Sequence, residues 1–306
     1  MYYSPMKRTK RITQAIEFWS VRALIAMIGI VPLGVLRGAG ASLGWIAFNL
    51  IRIRRRVALA NIRRALGPRP SDAEIAKIGL RSYQNMGRSL VEFASFGKLS
   101  ADKVASMVEF EGTHHFDDVL AAGTGAIVFA GHFDNWELLG AATARHGYPV
   151  HFLVGEQSNK RVDALMNDLR RAQGIGIISR EAALKRVLRE LSRNQIIAML
   201  PDQNAGRTGV FVDFFGKPAS TYRGPATFAL KHGCPVIPAF IIRRPGRPHR
   251  AVIERPIWPD REAEKEEAVQ KLTQECTNVL MEYIRRYPDH YFWVHRRWKT
   301  QPPADT

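Results

Sequence analysis

Residues 125–140 read GAIVFAGHFDNWELLG, and this stretch decides the fold prediction. The apolar, partly β-branched run at 126–130 has the length and composition of a buried strand. From Trp136 onward the apolar residues recur at helical spacing, so a helix should follow the strand after a short turn. Ligands of open α/β sheets gather where a strand ends and the chain leaves for a helix, which makes the turn with His132 a candidate functional site.

The same alternation of strands and helices continues along the chain. Short apolar runs predict strands, and they read MVEFEG, GAIVFAG, PVHFLVG, IGIIS, QIIAMLPD and CPVIPAFIIRR. Amphipathic stretches between them predict helices, and they read HHFDDVLAAG, NWELLGAATARHG, NKRVDALMNDLRRAQG, EAALKRVLRELSRN and GPATFALKHG. Ser71 and Glu74 form a capping box at the start of a further long helix. The predicted fold class is α/β, with a mixed or parallel sheet sandwiched by helices.

His132 and Glu137 are the candidate catalytic pair. An imidazole at the rim of the sheet, oriented by a carboxylate in the first turn of the next helix, can deprotonate a hydroxyl. The spacing equally fits a structural interpretation, in which His132 caps the helix and Glu137 complements its dipole. Asp134 is a rival partner for His132 and a natural N-cap. A metal site is not indicated, because His114 and His115 are expected to face solvent and no second His–acid cluster is apparent in the sequence.

Two further predicted strand ends carry polar residues. The stretch QIIAMLPDQNAGRTG places Asp202 directly after a strand and Arg207 in a glycine-bearing loop, which suits the rim of an anion site. The stretch VGEQSNKRVDALM places Asn159 and Arg161 at a comparable position. Each stretch alone is also compatible with a solvated connecting loop. Three polar strand ends in one sheet favour a shared cleft.

The first 70 residues carry most of the positive charge. They contain thirteen Lys or Arg and one acid, Glu17, which gives a net charge of +12 out of +17 for the chain. Two uncharged, largely apolar runs at 23–36 and 38–51 lie between these charges. Each run is shorter than the ~20 residues that a spanning helix needs. Pro32 and the glycines are expected to bend or break the segment.

We therefore expect residues 1–70 to form a membrane-associated helical hairpin or in-plane anchor that binds anionic lipid through its arginines. Residues 71–306 would then form the α/β domain. An ordinary buried helix pair is one alternative for the first segment. A DNA-binding arm is another, although nucleic-acid footprints rarely need two long apolar runs beside them.

Several stretches of the chain resemble those of a known family. They read GHFDNWELLG, LPDQNAGRTGVFVDFFGKPAS, TYRGPATFAL through PVIPAF, and the C-terminal HYFWVHRRWKT. Together they resemble the bacterial lipid A biosynthesis acyltransferases of the lauroyl/myristoyl transferase type, over nearly the whole chain. His132 and Glu137 match the His-x4-Asp/Glu motif of the wider glycerolipid acyltransferases. Asp202 stands where the family has an acid after a proline.

The resemblance implies an enzyme that transfers a fatty acyl group from an acyl thioester, on acyl carrier protein or coenzyme A, to a hydroxyl of a membrane glycolipid. It implies a late step of lipid A biosynthesis at the cytoplasmic face of the bacterial inner membrane, with no metal, no further cofactor and no nucleic-acid partner. His132 is then the general base and Glu137 its orienting partner. An acidic carrier protein would dock on nearby bases by charge complementarity. The residues expected to bind substrate are Asp202, Asn159, Arg161, Arg207 and Arg223.

The acceptor and the function class both have alternatives. Some family members have an Arg-Pro-Asn stretch where this chain has Gly-Glu-Gln-Ser-Asn, so the acceptor can also be another glycolipid or phospholipid, such as a mannosylated phosphatidylinositol. In a different class, the chain is a non-enzymatic basic protein that binds lipid or nucleic acid, and GHFDNWE is only a helix start. Convergence of His132, Glu137 and Asp202 on one cleft would favour the enzyme.

Overall fold

The computed structural model describes residues 5–68 and 70–303, with side chains from residue 12 onward. Arg69 and the side chains of Lys7, Arg8, Lys10 and Arg11, which belong to the predicted basic segment, lie outside the described part. The strands are β1 (Val108–Glu111), β2 (Ala126–Phe129), β3 (Val150–Val154), β4 (Gly176–Ser179), β5 (Ile196–Met199), β6 (Val210–Asp213), β7 (Pro218–Thr221), β8 (Val236–Ile242) and β9 (His249–Ile253). The helices are α1 (Pro5–Ile28), α2 (Leu33–Asn49), α3 (Arg55–Leu66), α4 (Asp72–Ala94), α5 (Ala101–Ala105), α6 (His114–Ala121), α7 (Trp136–Arg145), α8 (Lys160–Ala172), α9 (Ala183–Leu191), α10 (Gly224–His232) and α11 (Lys265–Arg286).

The main sheet is mixed and mostly parallel. Its described strands follow the order β1-β9-β8-β2-β5-β3-β4, while β6 and β7 form a separate antiparallel pair. Neighbours in the main sheet pair in parallel, except that β8 and β9 are antiparallel. Alternate residues of β2 belong to different core clusters: Ile127 packs with residues of α11, and Val128 with residues of α7. Both faces of the sheet are thus covered, as the predicted sandwich requires.

Five strands end at the same edge of the sheet. Because β8, β2, β5, β3 and β4 run in one direction, their carboxyl ends lie side by side. The residues that follow these strands include Arg243 after β8, His132 after β2, Asp202 after β5 and Arg180 after β4. This edge is where the sequence predicted a ligand site.

The predicted strands and helices of the α/β part are confirmed. The capping box is also confirmed, since the Ser71 hydroxyl accepts from Glu74 N–H and the Glu74 carboxylate accepts from Ser71 N–H. The sequence analysis did not assign β9, the β6–β7 hairpin or the long helix α11. β6 and β7 lie between β5 and α10, in the stretch that was interpreted as a polar, glycine-bearing loop, whereas β9 and α11 follow β8, the last recognised strand.

The N-terminal helices are interrupted where Pro32 was expected to interrupt them, between α1 and α2. The glycines of the second run do not break it, which corrects that part of the prediction. Gly40 and Gly44 lie within α2, where α2 approaches α4 so closely that a Cβ on Gly40 would lie 2.4 Å from the carbonyl oxygen of Gly87. These glycines permit backbone contact between the two helices. One face of α2 is therefore buried against α4.

The other face of the N-terminal helices is apolar and exposed. Its large exposed side chains are Ile16, Trp19, Leu24 and Met27 of α1 and Val35, Leu43 and Trp45 of α2. Among the helices in residues 5–68 and 70–303, none is both long enough and apolar enough to cross a membrane. Membrane association of this segment stays a prediction.

We expect the exposed apolar face of α2 to bind a membrane surface. Leu43 and Trp45 are 56% and 44% exposed. Replacing both by Ser should weaken binding to anionic phospholipid vesicles by roughly tenfold or more, because burial of each such side chain in an apolar phase is worth about 1.5–3 kcal/mol. The matched control replaces Leu184 and Trp258, which are 56% and 54% exposed and lie far along the chain. Co-sedimentation measures binding, and equal losses in the two double variants would contradict the prediction.

Candidate active site

His132 and Asp202 meet at the carboxyl edge of the sheet, because their strands β2 and β5 are paired neighbours. The ring Nδ1 of His132 lies 2.7 Å from Asp202 Oδ1. The backbone N–H of His132 donates to Asp202 Oδ2 at 2.9 Å. One buried carboxylate thus holds both the ring and the backbone of His132, whose side chain remains 21% exposed.

The neighbours of the imidazole fix its tautomer. An ionised carboxylate only accepts hydrogen bonds, so Nδ1 carries the proton and donates to Asp202. The side-chain Nε2 of Gln203 lies 3.2 Å from the other ring nitrogen. Because an amide nitrogen only donates, Nε2 of His132 presents its lone pair. Nε2 is therefore the nitrogen that can take a proton from a substrate.

Asp202 stays ionised in spite of its burial. Burial by itself raises the pKa of a carboxyl group, but the electrostatic attraction of His132, its two hydrogen bonds to the carboxylate and the nearby Arg297 hold the pKa of Asp202 below its ordinary value. The resulting negative charge stabilises the imidazolium that forms when His132 accepts a proton.

Glu137 has a different partner from the one predicted. Its carboxylate forms a bidentate ion pair with Arg170 of α8, at 2.6 and 2.9 Å, and both side chains are largely buried. The Nδ1 donor of His132 is already occupied by Asp202, whereas a guanidinium offers two parallel donors to a carboxylate. The predicted pairing of Glu137 with His132 is therefore wrong, and Asp202 takes that place. Asp202 is correspondingly a positioning residue, too buried for the substrate-binding role predicted for it.

Asp134 is neither the partner of His132 nor the helix cap. Asn135 caps α7, since its side-chain oxygen accepts a backbone N–H of the first turn at 3.0 Å. Asp134 has a left-handed backbone with φ of 45°, a conformation that Asp tolerates better than most residues. Its buried carboxylate lies 3.0 Å from Arg243 and 3.3 Å from His290. Asp134 therefore belongs to an ion network behind the turn.

His132 lines a cleft of about 620 Å³ at the ends of β2, β5, β3 and β4. The ring of Trp136 packs edge-on against the imidazole, with 4.9 Å between ring centroids. The polar part of the lining includes Glu137, Arg170 and Arg180. The apolar part includes Phe152, Val154, Ala183, Met199, Leu200 and Phe228. A base, cations and a long apolar wall together suit a substrate that has a polar group and an apolar chain.

The cleft contains some of the predicted substrate-binding residues. Arg223 lines it and pairs with Glu266 at 2.7 Å. Arg207 lies in a 3₁₀ turn beside Thr208, which lines the cleft. Substrate binding by Arg207 and Arg223 stays a prediction.

Asn159 and Arg161 lie at the junction of α1 and α8. The buried amide of Asn159 donates to the carbonyl of Gln14 at 2.8 Å and to the carboxylate of Glu17 at 2.9 Å, and its oxygen caps α8. The guanidinium of Arg161 lies 4.6 Å from the ring centroid of Phe18. The predicted substrate-binding role of Asn159 is corrected, because its amide is used to attach α1 to the domain, whereas substrate binding by Arg161 stays a prediction.

The C-terminal segment supports the site through hydrogen bonds from both its backbone and its side chains. Phe292 N–H donates to the carbonyl of His132 at 3.0 Å. The Tyr291 hydroxyl donates to the carbonyl of Asp202 at 3.4 Å. The buried guanidinium of Arg297 donates to the hydroxyl of Thr221 in β7. The HYFWVHRRWKT stretch therefore holds the two strand ends together, a role that its sequence alone does not indicate.

Sequence reasoning assigned no role to three residues of the cleft, Gln203, Arg170 and Arg180. Gln203 follows Asp202 directly, and a donor beside the predicted acid was a usable signal in the PDQN stretch. Arg170 lies in the last turn of α8, where cations ordinarily complement the helix dipole. Nothing in the sequence distinguishes Arg170 from an ordinary cation at a helix C-terminus.

The site defines a class of enzyme: a general base, oriented by a buried carboxylate, faces an apolar cleft at the edge of an α/β sheet. The sequence model of the family described as bacterial lipid A biosynthesis acyltransferase matches residues 4–300. The chain therefore belongs to this family and is an acyltransferase. The family predicted from the sequence motifs is confirmed.

Characterised relatives of the chain act on different lipids. It is 25% identical over 290 residues to the lipid A biosynthesis lauroyltransferase of Escherichia coli (strain K12), which covers 93% of this chain and 92% of that protein. Over 293 residues it is 25% identical to the lipid A biosynthesis myristoyltransferase of the same organism, with 94% and 88% covered. It is also 29% identical over 186 residues to the phosphatidylinositol mannoside acyltransferase of Mycobacterium tuberculosis (strain ATCC 25618 / H37Rv), with 58% of each chain covered.

Replacing each carboxylate by its amide shows whether Asp202 or Glu137 is the partner of His132. In Asp202→Asn an NH₂ group replaces one of the two carboxylate oxygens that accept from His132. This NH₂ donor then faces another donor, either Nδ1–H or the backbone N–H of His132. We expect kcat to fall by about 10²-fold or more.

In the control, Glu137→Gln, Arg170 loses its charged partner while His132 keeps its own. We expect a loss of stability of about 3–5 kcal/mol for the broken buried pair and a kcat that falls far less than in Asp202→Asn. Steady-state kinetics below the Tm and thermal unfolding separate the two effects. A kcat lowered by about 10²-fold in Glu137→Gln beside a nearly unchanged kcat in Asp202→Asn would restore the assignment made from the sequence.

Proposed function

We propose that the protein transfers a fatty acyl group from an acyl thioester to a hydroxyl of a membrane glycolipid, in a late step of lipid A biosynthesis. The observation that carries this proposal is the lone pair of His132 Nε2 beside an apolar cleft, where it accepts from the neutral amide of Gln203 while Asp202 holds Nδ1. The lengthwise similarity to a lauroyltransferase and a myristoyltransferase of lipid A supports the choice of acceptor.

The reaction needs only one proton carrier. The acceptor hydroxyl displaces Gln203 from His132 Nε2 and gives its proton to that nitrogen as its oxygen attacks the thioester carbonyl carbon. The tetrahedral intermediate breaks the carbon–sulfur bond, and the imidazolium returns the proton to the leaving thiolate. The products are an ester and a free thiol, and His132 is neutral again. General-base help is typically worth about 10²–10⁴ in rate, so positioning in the cleft must supply the rest.

Arg180 is the cleft cation best placed for an anionic group of the substrates. Within the described part of the chain it forms no ion pair, and it lies over the ring of Tyr222 at 5.0 Å from the centroid. Arg170 and Arg223 line the same cleft but are paired with Glu137 and Glu266. A phosphate of the donor's pantetheine arm or of the acceptor would find Arg180 unoccupied.

The donor is acyl carrier protein or coenzyme A, and no metal or further cofactor takes part. An acidic carrier protein would dock by charge on a chain of net charge +17. The proposed location is the cytoplasmic face of the bacterial inner membrane, where a soluble thioester and a lipid acceptor both reach the cleft. The exposed apolar face of α1 and α2 would attach the enzyme there.

Acylation of a mannosylated phosphatidylinositol is the second candidate function. The mycobacterial relative supports it, at 29% identity over 58% of the chain. The same base and cleft serve either acceptor, so the two candidates differ only in the lipid.

The activity test uses purified full-length protein, labelled acyl-acyl carrier protein or acyl-coenzyme A, and either a lipid A precursor or a phosphatidylinositol mannoside. His132→Ala removes the proton acceptor and should lower turnover by about 10²-fold or more with an unchanged Tm. His114→Ala is the control, because His114 is exposed and lies at the start of α6. Turnover by His132→Ala above about a tenth of that of the unchanged protein would end the proposal.

The apolar wall of the cleft should select the acyl chain length. Ala183 lines the cleft, whereas Leu184 beside it on α9 is exposed. Ala183→Phe should shift the preferred donor to a chain shorter by a few carbons, since each buried methylene is worth about 0.8 kcal/mol. Leu184→Phe should leave the preference unchanged. Competition between donors of different length measures the shift. Identical product lengths in both variants would mean that the acyl chain does not bind along Ala183.

A further inference from the structure

A second, basic cavity lies at the same edge of the sheet as the catalytic cleft. It measures about 820 Å³ and is bounded by α4, α5, the turn after β8 and Arg37 of α2. His290 lines this cavity, and His132 lines the cleft. The two cavities are separated by the turn at 131–135 and the segment at 290–292. These two segments are joined by hydrogen bonds from Asp134 N–H to His290 O at 2.7 Å and from Phe292 N–H to His132 O at 3.0 Å.

Two cations of the cavity lining are neutralised by buried carboxylates. Arg37 donates to Glu92 at 2.6 Å. Arg243 donates to both oxygens of Glu92 at 2.8 and 2.9 Å and lies 3.0 Å from Asp134. The charges of these two groups are balanced within the protein, and they form a fixed support for the rest of the lining.

Four other cations of the lining are not neutralised in this way. Arg81, Arg88, Lys103 and Arg247 form no ion pair within 4 Å with any residue in 5–68 or 70–303, although Asp289 also lines the cavity and attracts Arg81 over a longer distance. Arg88 donates to the neutral amide of Asn85 at 2.9 Å. Burial and the neighbouring Arg243 lower the pKa of Arg88, while Asp134 and Glu92 act in the opposite direction. An anion in the cavity would relieve that repulsion.

The lining defines the chemistry of the ligand. Its apolar side chains are few, chiefly Met107 and two prolines, so the cavity does not suit an acyl chain. Guanidinium groups bind phosphate through parallel hydrogen bonds, and an ammonium adds a point charge. The volume falls within the range of small-molecule sites and exceeds what a single phosphate ion fills.

The setting of the cavity favours a lipid as the source of the phosphate. Arg37 reaches it from α2, and the outer face of that helix exposes Val35, Leu43 and Trp45. A helix that exposes apolar side chains beside unpaired cations is typical of proteins that lie at the surface of an anionic membrane. We propose that this cavity binds the phosphate-bearing headgroup of a membrane lipid. The site goes beyond the proposed acyl transfer, because it lies on the far side of the wall that carries His132.

A direct binding measurement tests the proposal without turnover. Full-length protein is titrated by calorimetry with a short-chain phosphatidic acid below its micelle concentration, and separately with inorganic phosphate. The unchanged protein should bind the short-chain lipid saturably at one site and inorganic phosphate more weakly. The triple variant Arg81→Gln, Arg88→Gln and Arg247→Gln should lose roughly 10-fold to 100-fold in affinity for the lipid.

The control removes the same charge elsewhere, through Lys185→Gln, Lys217→Gln and Lys231→Gln, all exposed and outside the cavity lining. It should change the affinity by no more than about twofold. Equal losses in the two triple variants would overturn the proposal in favour of diffuse attraction. If the unchanged protein binds inorganic phosphate as tightly as it binds the short-chain phosphatidic acid, the assignment of the ligand as a lipid would be overturned. If the cavity triple variant has a lowered Tm, the single variant Arg247→Gln is decisive, since Arg247 lies in an exposed loop. A several-fold loss of affinity for the short-chain lipid supports the site, and an unchanged affinity overturns it.

Discussion

The buried carboxylate of Glu92 is the interaction on which the arrangement of the site depends. It lies on α4 and accepts hydrogen bonds from Arg37 of α2, from Arg243 after β8 and from Asn135 at the start of α7. Burial by itself would raise the pKa of Glu92, but Arg243 and His249 hold it well below its ordinary value. Removal of one partner from such a buried charge is strongly destabilising, by about 3–5 kcal/mol. The N-terminal helices, the sheet and the catalytic turn are thereby fixed relative to one another.

The catalytic turn is held from two sides as a result. On one side the Asn135 amide donates to Glu92 while its oxygen caps α7, and Asp134 adds a second carboxylate to Arg243. On the other side Asp202 binds the ring and the backbone of His132. The imidazole therefore has little freedom to leave the orientation in which Nε2 faces the cleft, and this preorganisation lowers the cost of reaching the transition state.

The sequence predicted the elements better than the contacts between them. The runs around 126–130 and 196–199 follow strand patterns, and a capping box marks α4, so local chemistry was sufficient for these elements. His132 was found because it follows a strand. Its partner was misassigned to Glu137, five residues away, since periodicity does not reveal that β5 lies beside β2. Strand order, which is a long-range property, brings Asp202 to the ring instead.

The sheet edge combines two unlike environments because of its strand order. β8 ends among arginines whose charge is partly balanced by Glu92 and Asp134, whereas β3 and β5 end beside Phe152 and Met199. An acyl chain suits only the second environment, where a charged group of the substrate needs a cation such as Arg180 to offset its lost hydration. A lipid substrate and its donor have both kinds of group. The turn at 131–135 stands between the two environments, and this places the base where the apolar cleft begins.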